Sequence, residues 1–301
     1  MDCGRGKVTL LAMKISVLVA VYNMERFLKP FLESLAAQCA PDVEFVLVDD
    51  CSTDGSLALM RELVQTLKMT NVRIIALPKN GGVSEARQVA LDAAQGDYVI
   101  YADPDDTVDP GMYQSLLAVA EREDADFVWE DFYEDGQRKK CTVNGDWTGE
   151  NLACAILAWG LHGSTCNKMI RRDFIEKCGA RFLKGRVGYC EDVDFNCTVL
   201  AANPKCVYSD GCHYRYRVVQ GSATHSDDSR AAFDSLKRVI EHLETVVKTP
   251  RERMCLRVYK FAVYLSAQKG VYWLLCLWAR RAFKAFVWHY CRRPRSAQLT
   301  A

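Results

Sequence analysis

Short apolar runs alternate with amphipathic stretches through the first hundred positions. Ile15 to Val21 reads as a buried strand that ends in Tyr22-Asn23. From Glu25 to Gln38 the apolar residues Phe27, Phe31, Leu32 and Leu35 recur at helical spacing. A second buried strand, Val43 to Val48, delivers Asp49 and Asp50 at its carboxyl end. The turn-forming Ser52-Thr53-Asp54-Gly55-Ser56 caps a helix running to Leu67. Val72 to Leu77 is the third strand, and Asn80-Gly81-Gly82 opens a helix that bears Glu85, Ala86 and Arg87. The fourth strand, Asp97 to Tyr101, runs into Asp103-Pro104-Asp105-Asp106. Such alternation, with loops of this length, predicts parallel strands covered by helices.

Ligands in folds of this kind sit beyond the carboxyl ends of the strands. The unusual polar residues of this half all fall there: Asn23, Asp49 and Asp50, Asn80 to Gly82, and the acids from Asp103 to Asp106. Three carboxylates within four positions repel one another unless a cation sits among them. Magnesium and manganese are held in this way, by one or two carboxylates plus substrate phosphate oxygens. No GxGxxG follows the first strand and no GxxxxGK[ST] occurs, so neither dinucleotide nor P-loop binding is supported. A nucleotide held differently fits the residues: amides around Ala20 to Tyr22 could pair with a base edge, Asp50 could accept from base or ribose, and Arg87 could offset phosphate charge.

Composition changes this picture little. Half of the 301 residues are hydrophobic and 26% are charged, as in an ordinary globular chain. The fourteen cysteines form no CxxC pair, which predicts reduced, mostly buried thiols in a cytosolic protein. The apolar run Val8 to Met13 is too short for a signal segment. Met13-Lys14-Ile15 looks like an alternative start, so residues 1–13 read as a disordered extension. Charge is asymmetric. From Arg251 onward eleven Lys/Arg face a single acid, a net +10, so residues 1–250 carry −9 of a whole-chain +1. A basic tail on an acidic body predicts an anionic partner for the tail rather than nucleic acid binding by the body.

Four ordered segments, Ser16 to Asn23, Val48 to Ser56, Asn80-Gly81-Gly82 through Arg87, and Ala102 to Asp106, resemble the family 2 glycosyltransferases. The resemblance covers roughly residues 14–220. It implies an α/β fold of the GT-A type, with a mostly parallel central sheet flanked by helices, here followed by a C-terminal helical extension. It also implies a nucleotide-sugar donor, usually UDP-linked, a divalent Mn2+ or Mg2+ cofactor, and inversion at the anomeric carbon. By position, Asp50 resembles the uracil contact, Asp103 the ribose contact and Asp105 the metal ligand, with Asp103 beside it. Ala20, Tyr22, Asn23, Gly82 and Arg87 complete the expected donor side. Pro104 stands where a small residue is common, and stiffens the loop.

Beyond Asp106 the pattern predicts a helix from Pro110 to Glu123, a strand from Asp126 to Tyr133 and a polar, hairpin-like segment to about Asp146. Gly163 to Met169 is similar to the family's segment before the acceptor site, with Cys166 in place of a tryptophan. Tyr189 to Phe195 resembles its Gly-Glu-Asp motif at a helix start, with Cys190 in place of the glycine. Asp192 is then the expected base, and Glu191 orients the acceptor or Asp192. A carboxylate that takes the acceptor's proton contributes roughly 10²–10⁴-fold. Asp210 to Arg217 with Gly221-Ser222 resembles the strand and loop that close over the diphosphate, making Arg217 and Ser222 phosphate contacts. His213 or His225 could complete the metal shell.

The expected organisation is a catalytic domain over 14–225, split into a nucleotide-binding half (14–109) and an acceptor half (110–225). A basic helical tail over 226–301 follows. In that tail Ser229 to Val247 and Arg251 to Gln268 read as helices. From Tyr272 an apolar stripe (Leu275, Cys276, Ala279, Phe283, Phe286, Tyr290) opposes Arg280, Arg281 and Lys284. That fits a helix lying in a membrane interface, a stripe packed on the catalytic domain, or a homodimer contact. The reading is a cytoplasmic enzyme, peripheral at the inner face of the membrane, acting on a glycan or lipid-linked acceptor. Its rivals are a nucleotidyltransferase on a related α/β scaffold and a non-catalytic, nucleotide-sensing membrane module. The first would need a glycine-rich phosphate loop, which Val21-Tyr22-Asn23-Met24 does not supply.

Overall fold

A computed structural model describes residues 13–140, 146–219 and 229–267. Its first half is the anticipated alternation: β1 (Ile15–Val21), α1 (Glu25–Ala36), β2 (Val43–Asp49), α2 (Ser56–Thr66), β3 (Val72–Ala76), α3 (Val83–Ala93) and β4 (Tyr98–Tyr101). These strands pair in parallel in the order β3-β2-β1-β4. The strands are mostly apolar because both faces are covered; within them Ser16 and Arg73 both donate to Glu44, at 2.6 Å each. Val17, Val19, Phe45, Leu47 and Ile100 pack with α1 and α2, while Leu18, Val46, Val48, Val99 and Tyr101 pack with α3 on the other face. Val21 lies opposite Asp49 in register, and the Asp50 amide donates to the Val21 carbonyl, so the loops carrying Asn23 and Asp50 leave one edge together.

The second half comprises β5 (Thr107–Val108), α4 (Met112–Glu123), β6 (Phe127–Glu134), β7 (Gln137–Lys139), α5 (Gly149–Leu157), β8 (Lys168–Arg171), α6 (Arg172–Cys178), α7 (Glu191–Ala201) and β9 (Cys206–Tyr216). It extends the sheet as β4-β8-β6-β9-β5, with β7 paired to β6. Here β8 runs antiparallel to both its neighbours, β6 and β9 are parallel, and β5 is antiparallel to β9, so the whole sheet is mixed. The polar segment after β6 is indeed a hairpin: Asp135 and Gly136 have φ of 48° and 76°, the positive pair that a tight two-residue turn needs.

Two helices close the described chain, α8 (Ser229–Val246) and α9 (Pro250–Ala267). Leu236, Val239, Ile240 and Leu243 of α8, and Cys255, Leu256 and Tyr259 of α9, are buried in the same core as α5 and α7. His242 of α8 pairs with Asp194 of α7 at 2.8 Å. Arg251 Nη1 donates to Asn151 of α5 at 2.6 Å. The first part of the expected tail is therefore built into the catalytic body. The basic stripe from Tyr272 to Arg295 lies outside the described residues. Among the described residues no helix is long and apolar enough to cross a membrane, and the cysteines are free thiols.

Candidate active site

At the carboxyl edge of β1, β2 and β4 lies a cavity of about 1140 Å3. Asp50 organises one wall. It is 2% exposed, and its two carboxylate oxygens accept from the Gly81 and Gly82 amides at 2.7 and 2.8 Å. The Asn80 side chain donates to the Asp50 carbonyl at 3.1 Å. Glycine is required at position 82, which sits at φ 90°, a conformation other residues rarely adopt, with Arg186 packed against it. Asn23 does the same work for the neighbouring loop, its Oδ1 accepting from the Thr53 amide at 2.8 Å while Ser52 Oγ accepts from the Asn23 amide at 3.0 Å. Ala20, Tyr22, Asn23, Asp50 and Gly82 all line the cavity.

The acid loop after β4 divides its three carboxylates between two jobs. Asp106 is buried and structural: Tyr214 Oη and the Arg217 amide each donate to it at 2.7 Å, tying β9 to the loop. Burial, with Asp103 and Asp105 nearby, pushes its carboxyl up to about 8. Asp103 and Asp105 face the cavity. Asp105 makes no ion pair among the described residues, and burial together with Asp103 pushes its carboxyl up to about 6. Asp105, without an ion pair among those residues and beside an Asp103 that Arg87 partly offsets, offers a carboxylate in a cleft that a divalent cation would relieve.

Arg87 links the two sides of the cavity. Its Nη2 donates to Asp103 at 2.8 Å and its Nη1 to Glu191 at 2.7 Å, with the Arg87 side chain only 8% exposed. The two carboxylates hold the guanidinium protonated against burial. Glu191 begins α7; burial raises its carboxyl and Arg87 opposes that. Asp192, next along, lines the cavity and is partly exposed. One of its oxygens accepts from the Val193 amide at 2.8 Å, and no second hydrogen bond to it is made among the described residues. Cys190 keeps the turn that precedes α7 despite lacking a glycine's freedom, at φ 62°. That conformation costs about 1–2 kcal/mol for a residue with a Cβ. Tyr259 of α9 donates to its Sγ at 3.2 Å.

The loop between α5 and β8 supplies the remaining wall. Lys168, 1% exposed, donates to the carbonyls of His162 and Ser164 at 2.8 and 2.6 Å and to Asn167 at 2.7 Å. The Asn-Lys pair is thus the frame of this loop. His162 is open to the cavity yet ringed by protein, which together with the Lys168 ammonium lowers its pKa. The Ser164 amide donates to its Nδ1 at 3.2 Å. A second, smaller depression of about 320 Å3 is lined by Lys14, Asp97 and Glu121 and by Arg171 and Asp124, which pair within each group, together with Asp173.

A sequence model described as Glycosyl transferase family 2 matches residues 16–179, more than half of the chain. The chain belongs to glycosyl transferase family 2. It is 33% identical over 130 residues to the uncharacterized glycosyltransferase EpsJ of Bacillus subtilis, covering 43% of this chain and 37% of EpsJ. It is 37% identical over 119 residues to the poly(ribitol-phosphate) beta-N-acetylglucosaminyltransferase TarS of Staphylococcus aureus strain Mu50, covering 38% of this chain and 20% of TarS. The chain therefore spans well under two thirds of these curated relatives. The crystal structure of S. aureus TarS 1–349 in complex with UDP-GlcNAc superposes with a TM-score of 0.70 at 19% identity, covering 93% of this chain and 90% of that one. That likeness establishes the GT-A fold.

Of the residues expected in this family 2 chain, Ala20, Tyr22, Asn23, Asp50, Gly82, Arg87, Asp103, Asp105, Glu191 and Asp192 meet around the one cavity. Three expectations land differently. Arg87 spends two nitrogens on carboxylates rather than standing ready for phosphate. His213 is not among the cavity-lining residues: its Nδ1 pairs with the buried Glu130 at 2.9 Å. Strand alternation explains this, because Tyr214, its neighbour on β9, is the residue that turns toward Asp103 and Asp106. Arg217 reaches the acid loop through its backbone amide, with an exposed side chain. Ser222 and His225 lie outside the described residues. Sequence reading passed over His162, Trp159 and Tyr259, which also line the cavity. Trp159-Gly160 directly after an apolar helical run was the one available signal. Among the described residues no cluster of three metal-ligating side chains occurs. A cation here would rest on Asp105 with Asp103, and on oxygens of its substrate.

Proposed function

We propose that this protein is a metal-dependent, inverting glycosyltransferase. It moves a sugar from a UDP-linked nucleotide-sugar donor to a hydroxyl of a glycan or lipid-linked acceptor, in the assembly of a cell-surface polysaccharide or glycolipid. One observation carries the reading: Asp105 and Asp192, 87 positions apart in the sequence, line the same cavity. In-line displacement needs charge compensation on the leaving side of the anomeric carbon and a proton acceptor on the other. Acids from separate elements meet that need. The relatives named glycosyltransferases and the TarS complex with UDP-GlcNAc support the donor class.

In this account Ala20 to Asn23 and Asp50 receive the nucleoside, and Asp103 meets the ribose. Asp105, with Asp103, would hold Mn2+ or Mg2+, which offsets the charge developing on the departing diphosphate. Asp192 takes the acceptor's proton, since Glu191 is already committed to Arg87. Arg87 in turn fixes the spacing between the acid loop and the start of α7. The basic stripe over 272–295 would hold the enzyme at the inner face of the membrane, each nearby basic residue adding about 1 kcal/mol on an anionic leaflet.

Thermal shift with a panel of nucleotide sugars, with and without Mn2+, tests the donor and the cation together. A rise in melting temperature for a UDP-sugar that depends on Mn2+ and is lost in Asp105→Ala is expected. No nucleotide response, or one identical in Asp105→Ala, overturns the reading.

A further inference from the structure

The wall of the cavity farthest from the nucleoside residues in sequence is aromatic. Trp159 and Tyr259 place their ring centroids 5.4 Å apart with a 30° tilt, and both line the cavity. Trp159 occupies an expensive position. The Trp159 amide donates to the Ile156 carbonyl at 3.0 Å and the Gly160 amide to Ala155 at 2.8 Å, the paired bonds that end α5. In that pattern the residue with positive φ is usually glycine. Here it is Trp159, at φ 57°, and the glycine follows one position later. A large ring kept where the backbone favours no side chain points to a use for the ring. The cavity it lines offers both kinds of group: Ile156, Leu161 and Val263 are apolar, while His162, Ser164 and Tyr189 bring polar atoms. The pair also adjoins the proposed base, because Tyr259 donates to Cys190, two residues before Asp192.

We propose that Trp159, braced by Tyr259, is the platform on which a pyranose ring of the acceptor stacks, so that the acceptor is recognised as a saccharide rather than through a lipid chain. A pyranose has one face of axial C–H bonds, which packs on an indole, and a rim of hydroxyls, which needs polar neighbours. An acyl chain would need a lining without those polar groups. This inference rests on the glycosyl-transfer reading of the cavity and narrows its acceptor class. It also gives α9 a part in the site, since Tyr259 comes from that helix.

Saturation-transfer NMR on the full chain, with UDP and Mn2+ present, tests it with methyl β-D-glucopyranoside, methyl β-D-galactopyranoside, N-acetylglucosamine and octyl β-D-glucopyranoside as probes. The expected result is saturation strongest on the axial ring protons of at least one methyl glycoside or N-acetylglucosamine. Trp159→Phe should keep part of it. Trp159→Ala should weaken that binding about tenfold, while its melting temperature still rises with UDP and Mn2+. Saturation confined to the octyl chain, equal saturation in Trp159→Ala, or none from any probe with nucleotide bound would overturn the platform. Absence of a nucleotide response in the wild type would instead overturn the glycosyl-transfer reading beneath it.

Discussion

Arg87 shows how a single side chain can hold two halves of a site together. Its carboxylate partners lie 16 positions downstream, in the acid loop, and 104 positions downstream, at the start of α7. Removing the guanidinium leaves Glu191 buried without its partner, and breaking such a pair costs about 3–5 kcal/mol. Asp103 is 27% exposed, so its share is screened and the lower end of that range is expected. Urea denaturation should therefore find Arg87→Ala about 3 kcal/mol less stable. Arg87→Lys should recover only part, because one ammonium cannot replace a planar fork reaching two acceptors. None of this was legible in the sequence, where Arg87 is one basic residue on a helix near a phosphate-like loop. The same limit hid the split among Asp103, Asp105 and Asp106. Residue type announced three acids, but only the approach of Tyr214 and the Arg217 amide makes one of them structural.

At the scale of elements, the parallel half could be read because each strand is a bounded apolar run and each ends in polar residues at the ligand edge. The rest resisted for physical reasons. β5 and β8 span two and four residues, too short for a period to show. α5 is buried at nearly every position, so no polar face marks its helical repeat. The packing of α8 on α7 was equally silent, yet it carries a testable charge. The Asp194 carboxylate raises the pKa of His242 above its ordinary 6.5. A base whose pKa is higher folded than unfolded contributes stability that is complete below about 6.5 and is lost as pH rises through the folded value. Wild-type stability should thus fall as pH climbs from about 6.5, and His242→Gln should flatten that slope. An unchanged slope in urea melts across this window would show that the pair does not couple α8 to α7.

For the whole molecule, the boundary that matters is not the one composition suggested. The change from acidic body to basic tail falls near Arg251, yet α8 before it and α9, which begins there, are both built into the core. A chain cut at residue 225 would expose the surfaces of α5 and α7 that Leu236, Val239, Leu243 and Leu256 cover, and should be recovered unfolded or aggregated. A chain cut at 268 keeps those helices and should retain its melting temperature and its response to nucleotide. It should no longer float with anionic liposomes, as the full chain does on our reading. Equal flotation of both would remove the membrane role from the basic stripe.

The account stands on one cavity serving donor and proton acceptor at once, so the most direct test separates binding from turnover at Asp192. Asp192→Asn should match the wild type in its UDP and Mn2+ melting shift while losing roughly 10²-fold or more in release of UDP from the productive UDP-sugar. Wild-type turnover in that folded, nucleotide-binding variant would contradict the account.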